Sequence, residues 1–391
     1  MRNLNLPLAC VMGDMDLVRP LGLAGIPCAA VAPAGAPPRY SRFSQAVVDC
    51  ANTWENPGAL VDTLVRFASA QPLPPVLMYE EDGYVLLISR HRDRLSPSMR
   101  FVVPEATLVE DLVDKSRFQA LAARLALPVP AARRIDPDSG SCPRDLDMRF
   151  PVIVKPLTRR PVQWAPIGGE GKARRVNSAA ELRSLWPRLA AARIPLLVQE
   201  LVPGDETAIE SYHVYVDRGG TIVADFTGKK IRTYPQTFGD STALTTTHAG
   251  DVLEIGRDIV RRLDLRGVAK FDFKRAPDGT LYLFEINPRF TLWNHLGAIA
   301  GLNIPELVYC DLAGLPRPPV GRARAGVRWC RPWTDVRAAR QAGVSLLKWL
   351  PWAIACDVKS TIAWDDPFPF FGAALSRGLA RFANGAGQGK H

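Results

Sequence analysis

Residues 267–290 read GVAKFDFKRAPDGTLYLFEINPRF, and this stretch decides the fold. Asp272 stands in an alternating strand pattern, Pro277-Asp278-Gly279 makes a turn, and Glu285 and Asn287 follow in the returning strand. Residues two apart share a strand face, so Glu285 and Asn287 point the same way. A hairpin folds Asp272 back across from them. Two carboxylates and an amide oxygen are hard donors that suit Mg²⁺, an ion that keeps waters and takes substrate phosphates. Arg289 continues that face if the strand persists, ready to hold a phosphate by a bidentate contact. The plain alternative is a solvent-facing hairpin. Leu281, Leu283, Phe284 and Ile286 argue against it, because a buried strand does not carry Glu, Asn and Arg on one face without partners.

At 391 residues the chain is too long for one ordinary core and predicts two or three lobes. Its 47% apolar content is that of a soluble globular protein, and no apolar run reaches the length of a membrane span. The start, MRNLNLPLACVMGD, reads as a first strand rather than a secretory signal. Seven scattered cysteines without a CxxC pair argue for reduced thiols, a cytoplasmic location and no zinc site. The net charge of +10 fits an anionic substrate, nucleic acid or a membrane surface equally well. No nucleic-acid-binding pattern appears, so no nucleic-acid partner is expected.

Residues 1–112 alternate apolar strands (PLACVM, IPCAAVA, AVVDC, PVLMY) with helical stretches, which predicts a parallel doubly wound sheet. Gly13 opens no GxGxxG, so a dinucleotide fingerprint is absent. Arg19 and Tyr79-Glu80-Glu81-Asp82 are expected at strand ends, where open α/β sheets bind ligands; a helix start enriched in acids explains the cluster equally well. A helix over 114–126 carries Lys115, and 136–149 reads as a loop. FPVIVKP ends a buried strand at Lys155. The stretch 157–176, with Gly168, Gly169 and Gly171, is no Walker A loop but suits either a flap over phosphates or a plain flexible loop. After a helix over 178–192, the strand PLLVQE breaks at Pro203-Gly204. Strands 211–217 and 221–234 are expected to pair around Arg218-Gly219-Gly220, and helices cover 251–263 and 303–313. Arg232, Tyr234, Ser241, Thr242 and Thr245 to His248 read as an acceptor pocket or a polar loop, and the strand exit Arg289 to His295 is the better acceptor candidate. Trp349–Cys356 reads as a packed helix or hairpin, and the tail from Asn384 to His391 as disordered.

The order of these motifs resembles the ATP-grasp superfamily, over about residues 1–315 and most strongly over 150–290. Within it, VDKSRFQALAARLALPVP (113–130) and GKKIRTYPQTFGDSTA (228–243) look most like predicted ATP-dependent carboligases related to D-aspartate ligase and biotin carboxylase. The resemblance implies a mixed α/β and α+β chain: an ATP-grasp fold behind an N-terminal parallel α/β domain. It divides the chain into the α/β domain at 1–112, an N-terminal ATP-grasp half at 113–195, a C-terminal half at 196–315, and a linker with C-terminal extension at 316–391. It implies that Lys115 and Lys155 hold ATP phosphates, that Gln199, Glu200 and Val202 meet adenine, and that Glu206 takes the ribose hydroxyls. Lys230 or Lys229 reaches the phosphates, and Asp272, Glu285 and Asn287 bind Mg²⁺, with Mn²⁺ as an alternative. Lys270 stands where many relatives have Arg. It keeps the charge without the bidentate fork, and with Arg289 is expected to stabilise the reacting oxyanion.

The implied activity is a cytoplasmic carboxylate–amine ligase that forms an amide or peptide bond through an acyl phosphate. Its partners are a small carboxylate and an amine, with a homodimer left open and no stable membrane insertion. His213, His248 and His295 are expected to be structural or substrate-contacting. Carboxylation through carboxyphosphate, or a silent ATP-binding module, are the competing readings.

Overall fold

The computed structural model describes residues 6–50, 55–137, 142, 146–157, 162–169 and 171–376. Parts of the loop expected at 136–149 and of the Gly-rich stretch, and the whole tail 384–391, lie outside them.

The first sheet contains β1 (Ala9–Met12), β2 (Cys28–Ala32), β3 (Ser44–Asp49) and β4 (Val76–Tyr79) in the order β3-β2-β1-β4, all parallel. The runs ACVM, CAAVA and VLMY are buried throughout, as strands covered on both faces by helices require. Asp14 caps the helix Met15–Leu23 by accepting from the Met15 amide, so the chain turns at the end of β1.

The second sheet is antiparallel: β5 (Ala132–Ile135), β6 (Val152–Pro156), β7 (Arg174–Val176) and β8 (Leu196–Glu200), in the order β5-β8-β6-β7. Val152, Val154, Val176, Leu196 and Val198 pack on Leu182, Leu185, Trp186 and Leu189 of the helix Ala179–Ala192. The period of two then turns Lys155 and Gln199 to the opposite face.

The third sheet holds β9 (Ile209–Val216), β10 (Ile222–Tyr234), β11 (Asp240–Thr247), β12 (Gly267–Arg275), β13 (Leu281–Asn287), β14 (Arg328–Cys330) and β15 (Val358–Lys359). Their order is β13-β12-β9-β10-β11-β14-β15. One face (Tyr212, Val214, Phe271, Phe273, Leu283, Ile286) packs on the helices Gly250–Arg262 and Lys115–Arg124. On the other, Tyr215, Phe226 and Val268 meet Trp293 and Leu296, and the remainder is polar.

Three sequence expectations change here. Ser241, Thr242 and Thr245 to Thr247, weighed as an acceptor pocket or a polar loop, lie in β11, between β10 and β14. The segment at 349–356 is the helix Leu346–Ile354, but it is not packed all round: Leu346, Leu347, Leu350 and Ile354 are exposed. β13 ends at Asn287, so Arg289 lies beyond the strand. In addition, β14 and β15, from the segment expected as an extension, lengthen the third sheet.

Candidate functional site

The hairpin register sets Asp272 directly opposite Glu285, and Lys270 opposite Asn287. On the other side of β12, Asp272 faces Ser211 and Lys270 faces His213 of β9. Asp272 is buried; it accepts from Ser211 Oγ at 2.5 Å and from Lys270 Nζ at 2.6 Å. Burial alone would raise its pKa, but Lys270 and Lys230 hold it well below the ordinary carboxylate range. Asp272 is therefore an anion at neutral pH. Asn287 Nδ2 donates to Glu285 Oε1 at 3.2 Å.

Among the described residues no three His, Cys, Asp or Glu side chains gather as a metal centre. A cation at this hairpin would rest on two carboxylates and an amide, a hard-oxygen set suited to Mg²⁺, with Lys270 displaced from Asp272 Oδ2.

Lysines converge on these acids. Lys230 turns inward, where burial lowers its pKa against the pull of Asp272, Glu206 and Glu285, while its neighbour Lys229 is exposed. The site-facing choice between the two therefore falls on Lys230. Lys274, also buried, lies near Glu206 and Asp205, and its pKa is lowered by burial. Sequence reasoning passed it over, although the alternation Lys270-Phe271-Asp272-Phe273-Lys274 puts all three polar residues on one face.

From the second sheet, Lys155 Nζ donates to Gln199 Oε1 at 3.0 Å. Its pKa is pushed down to about 8, first by burial and then by Lys115, against the pull of Glu285. Lys115 Nζ donates to the carbonyls of Pro156 and Leu157 at 2.7 and 3.1 Å, which places it beside the end of β6. Gln199 Nε2 is buried without a hydrogen-bond partner among the described residues. Glu200 binds the amide of Arg149 at 2.9 Å and its guanidinium at 3.0 Å; Val202 is buried just beyond β8. Glu206 Oε1 accepts from the Phe238 amide at 3.5 Å. The Gly-rich stretch reaches the same 235–240 segment, with Lys172 Nζ 2.5 Å from Asp240 and its amide bonded to the Phe238 carbonyl.

The first sheet closes another side. The Phe290 amide bonds to the Tyr79 carbonyl at the end of β4. Arg289 pairs with Asp82, donates to the Glu80 carbonyl at 2.9 Å and reaches Asn287 Oδ1 at 3.2 Å. Arg289 thus ties the hairpin to the β4 end rather than extending the β13 face. Glu80 accepts from the Asp14 amide at 2.7 Å, and burial pushes its pKa up to about 8. His213 lies between Phe226 and Trp293, at ring-centroid distances of 4.5 and 4.8 Å. Burial and Lys270 keep it neutral, and its Nε2 has no partner among the described residues. Gly228 permits this packing, because a Cβ there would come within 2.2 Å of Trp293.

Other candidates fall elsewhere. Arg19 sits in the helix Met15–Leu23, bonded to Asp365 at 2.9 Å, not at a strand end. Arg232 forms a two-pronged pair with buried Asp335 at 2.8 and 2.6 Å, and Thr242 bonds the same carboxylate. Both are engaged by the C-terminal segment instead of lining an acceptor pocket. His248 Nε2 lies 2.8 Å from the Ala323 carbonyl, and His295 Nδ1 lies 3.4 Å from Asp16.

No protein-family model matches the chain. It is 25% identical over 290 residues to D-aspartate ligase of Enterococcus faecium, covering 71% of this chain and 68% of that protein. Among solved structures, N5-carboxyaminoimidazole ribonucleotide synthetase in complex with ADP aligns with a TM-score of 0.59 at 15% identity, over 84% of this chain and 82% of that one. Biotin carboxylase of Campylobacter jejuni aligns with a TM-score of 0.60 at 13% identity, over 84% and 75%. These likenesses bear out the fold class expected from the sequence. Among the described residues no single helix is long and apolar enough to cross a membrane.

Proposed function

We propose that this member of the ATP-grasp superfamily of ligases joins a carboxylate to an amine through an acyl phosphate, using ATP and Mg²⁺. The observation that carries the reading is the register that sets Asp272 opposite Glu285, with Lys230 and Lys270 drawn to Asp272 and Lys155 drawn to Glu285. Excess positive charge around two carboxylates suits a polyphosphate with its cation. On this reading, residues 113–195 and 196–315 form the two ATP-grasp halves behind the α/β domain 1–112, with 316–391 appended.

Lys115, Lys155 and Lys230 hold the phosphates. Glu200 and Val202 border adenine, and Glu206 takes the ribose hydroxyls. With Gln199 Oε1 already accepting from Lys155, its free Nε2 donates to a ring nitrogen rather than accepting from the exocyclic amine. Asp272, Glu285 and Asn287 hold Mg²⁺, or Mn²⁺ in its place, which supplies charge neutralisation on the transferring phosphoryl group. The substrate carboxylate takes the γ-phosphoryl group and ADP leaves. The amine then attacks the acyl carbon, expelling phosphate and losing a proton. Lys270 lies on the face where the oxyanion develops, and Arg289 acts by fixing Asn287 against Asp82. The Gly-rich stretch at 157–176 acts as the flap that excludes water from the acyl phosphate.

Carboxylation through carboxyphosphate is the second reading, favoured by the fold shared with biotin carboxylase. The test is amine-dependent ADP release over a panel of amino acids headed by D-aspartate, with and without bicarbonate. Glu285→Ala should abolish turnover and leave the fold intact. An active variant refutes the metal assignment, and bicarbonate-dependent turnover without an amine favours the second reading.

A further inference from the structure

The helix Leu346–Ile354 exposes an apolar stripe that the core leaves uncovered. Leu347 is 88% exposed, Leu350 54% and Ile354 66%, and Ala353 is its one buried residue. Their spacing of three and four residues lines them along one face. This is no frayed end. Trp349 Nε1 donates to Asp335 at 2.8 Å, and the Arg232 guanidinium lies 3.9 Å from the Trp352 ring centroid. The inner side is thus clamped to the helix Pro332–Gln341 and to β10, and the leucines are held outward. A second stripe, Phe368, Phe371 and Leu375, repeats the spacing in the helical residues 368–376, and Trp364 before it is 98% exposed.

Charge identifies the occupant. Residues 317–391 carry twelve Lys and Arg against four Asp and Glu, a net +8 of the chain's +10. The four acids are already engaged: Asp335 by Arg232, Asp365 and Asp366 by Arg19, and Asp357 by the Arg328 amide. Lys348 is exposed on the helix itself, and Arg337 and Arg340 are exposed on the neighbouring helix Pro332–Gln341. A second copy of the chain is the poorer fit, because a two-fold contact presents the same patch to itself and sets these cations against cations. An anionic surface with an apolar interior complements both the charge and the stripe.

We propose that the helix Leu346–Ile354 docks this protein on the surface of an anionic phospholipid bilayer. It lies in the interface with Leu347, Leu350 and Ile354 among the acyl chains and Lys348 at the headgroups. The docking is peripheral and does not depend on the ligase reading.

The test is sedimentation of the full chain with phosphatidylglycerol–phosphatidylcholine vesicles and with phosphatidylcholine vesicles alone. Binding should favour the anionic vesicles by about tenfold or more and weaken with salt. The triple variant Leu347→Ser/Leu350→Ser/Ile354→Ser changes only exposed positions. It should bind about tenfold less or weaker still, with an unchanged melting temperature. Equal binding to both vesicle types overturns the proposal, as does a triple variant that binds like the wild type. A lipid-free dimer that the triple variant dissolves, without vesicle binding, overturns it in favour of a second copy.

Discussion

Replacing Lys155 by methionine should make the fold more stable and the nucleotide site weaker. Burial and Lys115 bring the Lys155 ammonium from 10.5 to about 8, which corresponds to at most about 3 kcal/mol against the charged form. Losing the hydrogen bond to Gln199 offsets about 1 kcal/mol of that. Lys155→Met should therefore stabilise the protein by about 2 kcal/mol at pH 7 in urea denaturation without nucleotide. The gain is present in full below pH 8. Between pH 8 and 10.5 the unfolded chain keeps a proton that the folded wild type has released, so wild-type stability climbs and the gap closes. MgATP at a hundredfold excess over its Kd should stabilise the wild type by about 2.7 kcal/mol and the variant far less. A variant less stable than wild type at pH 7 refutes the burial argument. A variant with the full MgATP response refutes the phosphate role.

Asp272→Asn leaves Lys270 and Lys230 without their buried anion and should cost about 3 kcal/mol at pH 7, part of it recovered in Asp272→Asn/Lys270→Met by double-mutant denaturation. Glu80 holds a proton in the fold that the unfolded chain releases, so wild-type stability should fall as pH rises from about 5 to 8. Glu80→Gln should lose that slope and lead by about 2 kcal/mol at pH 8 in thermal or urea melts. Arg232→Lys forfeits the two-pronged bond to Asp335 and the stacking on Trp352, and should lower stability by about 2 kcal/mol.

What was legible in the sequence was whatever local period and turn chemistry dictate. The pairing of Asp272 with Glu285 follows from alternation and the Pro277-Asp278-Gly279 turn, and the parallel start from alternating apolar strands and helices. β11 escaped because a threonine-rich run carries no apolar period of its own; its pairing with β10 and β14 makes it a strand. The partners of Arg289 and Arg232 lie 207 and 103 residues away in sequence, beyond the reach of any local pattern. Lys274 was within reach of the strand period, two places beyond Asp272 on the same face. The exposed face of Leu346–Ile354 was hidden for another reason: composition reports that a segment is apolar, and only packing reports which side is covered.

The most direct measurement follows the oxygen atoms. The protein would be incubated with MgATP, a panel of ¹⁸O-carboxylate amino acids and hydroxylamine as the amine. An acyl-phosphate ligase should yield the hydroxamate and place one ¹⁸O in the released phosphate for each amide formed. ADP release with no ¹⁸O in the phosphate, or hydroxamate formed without ATP, would contradict it.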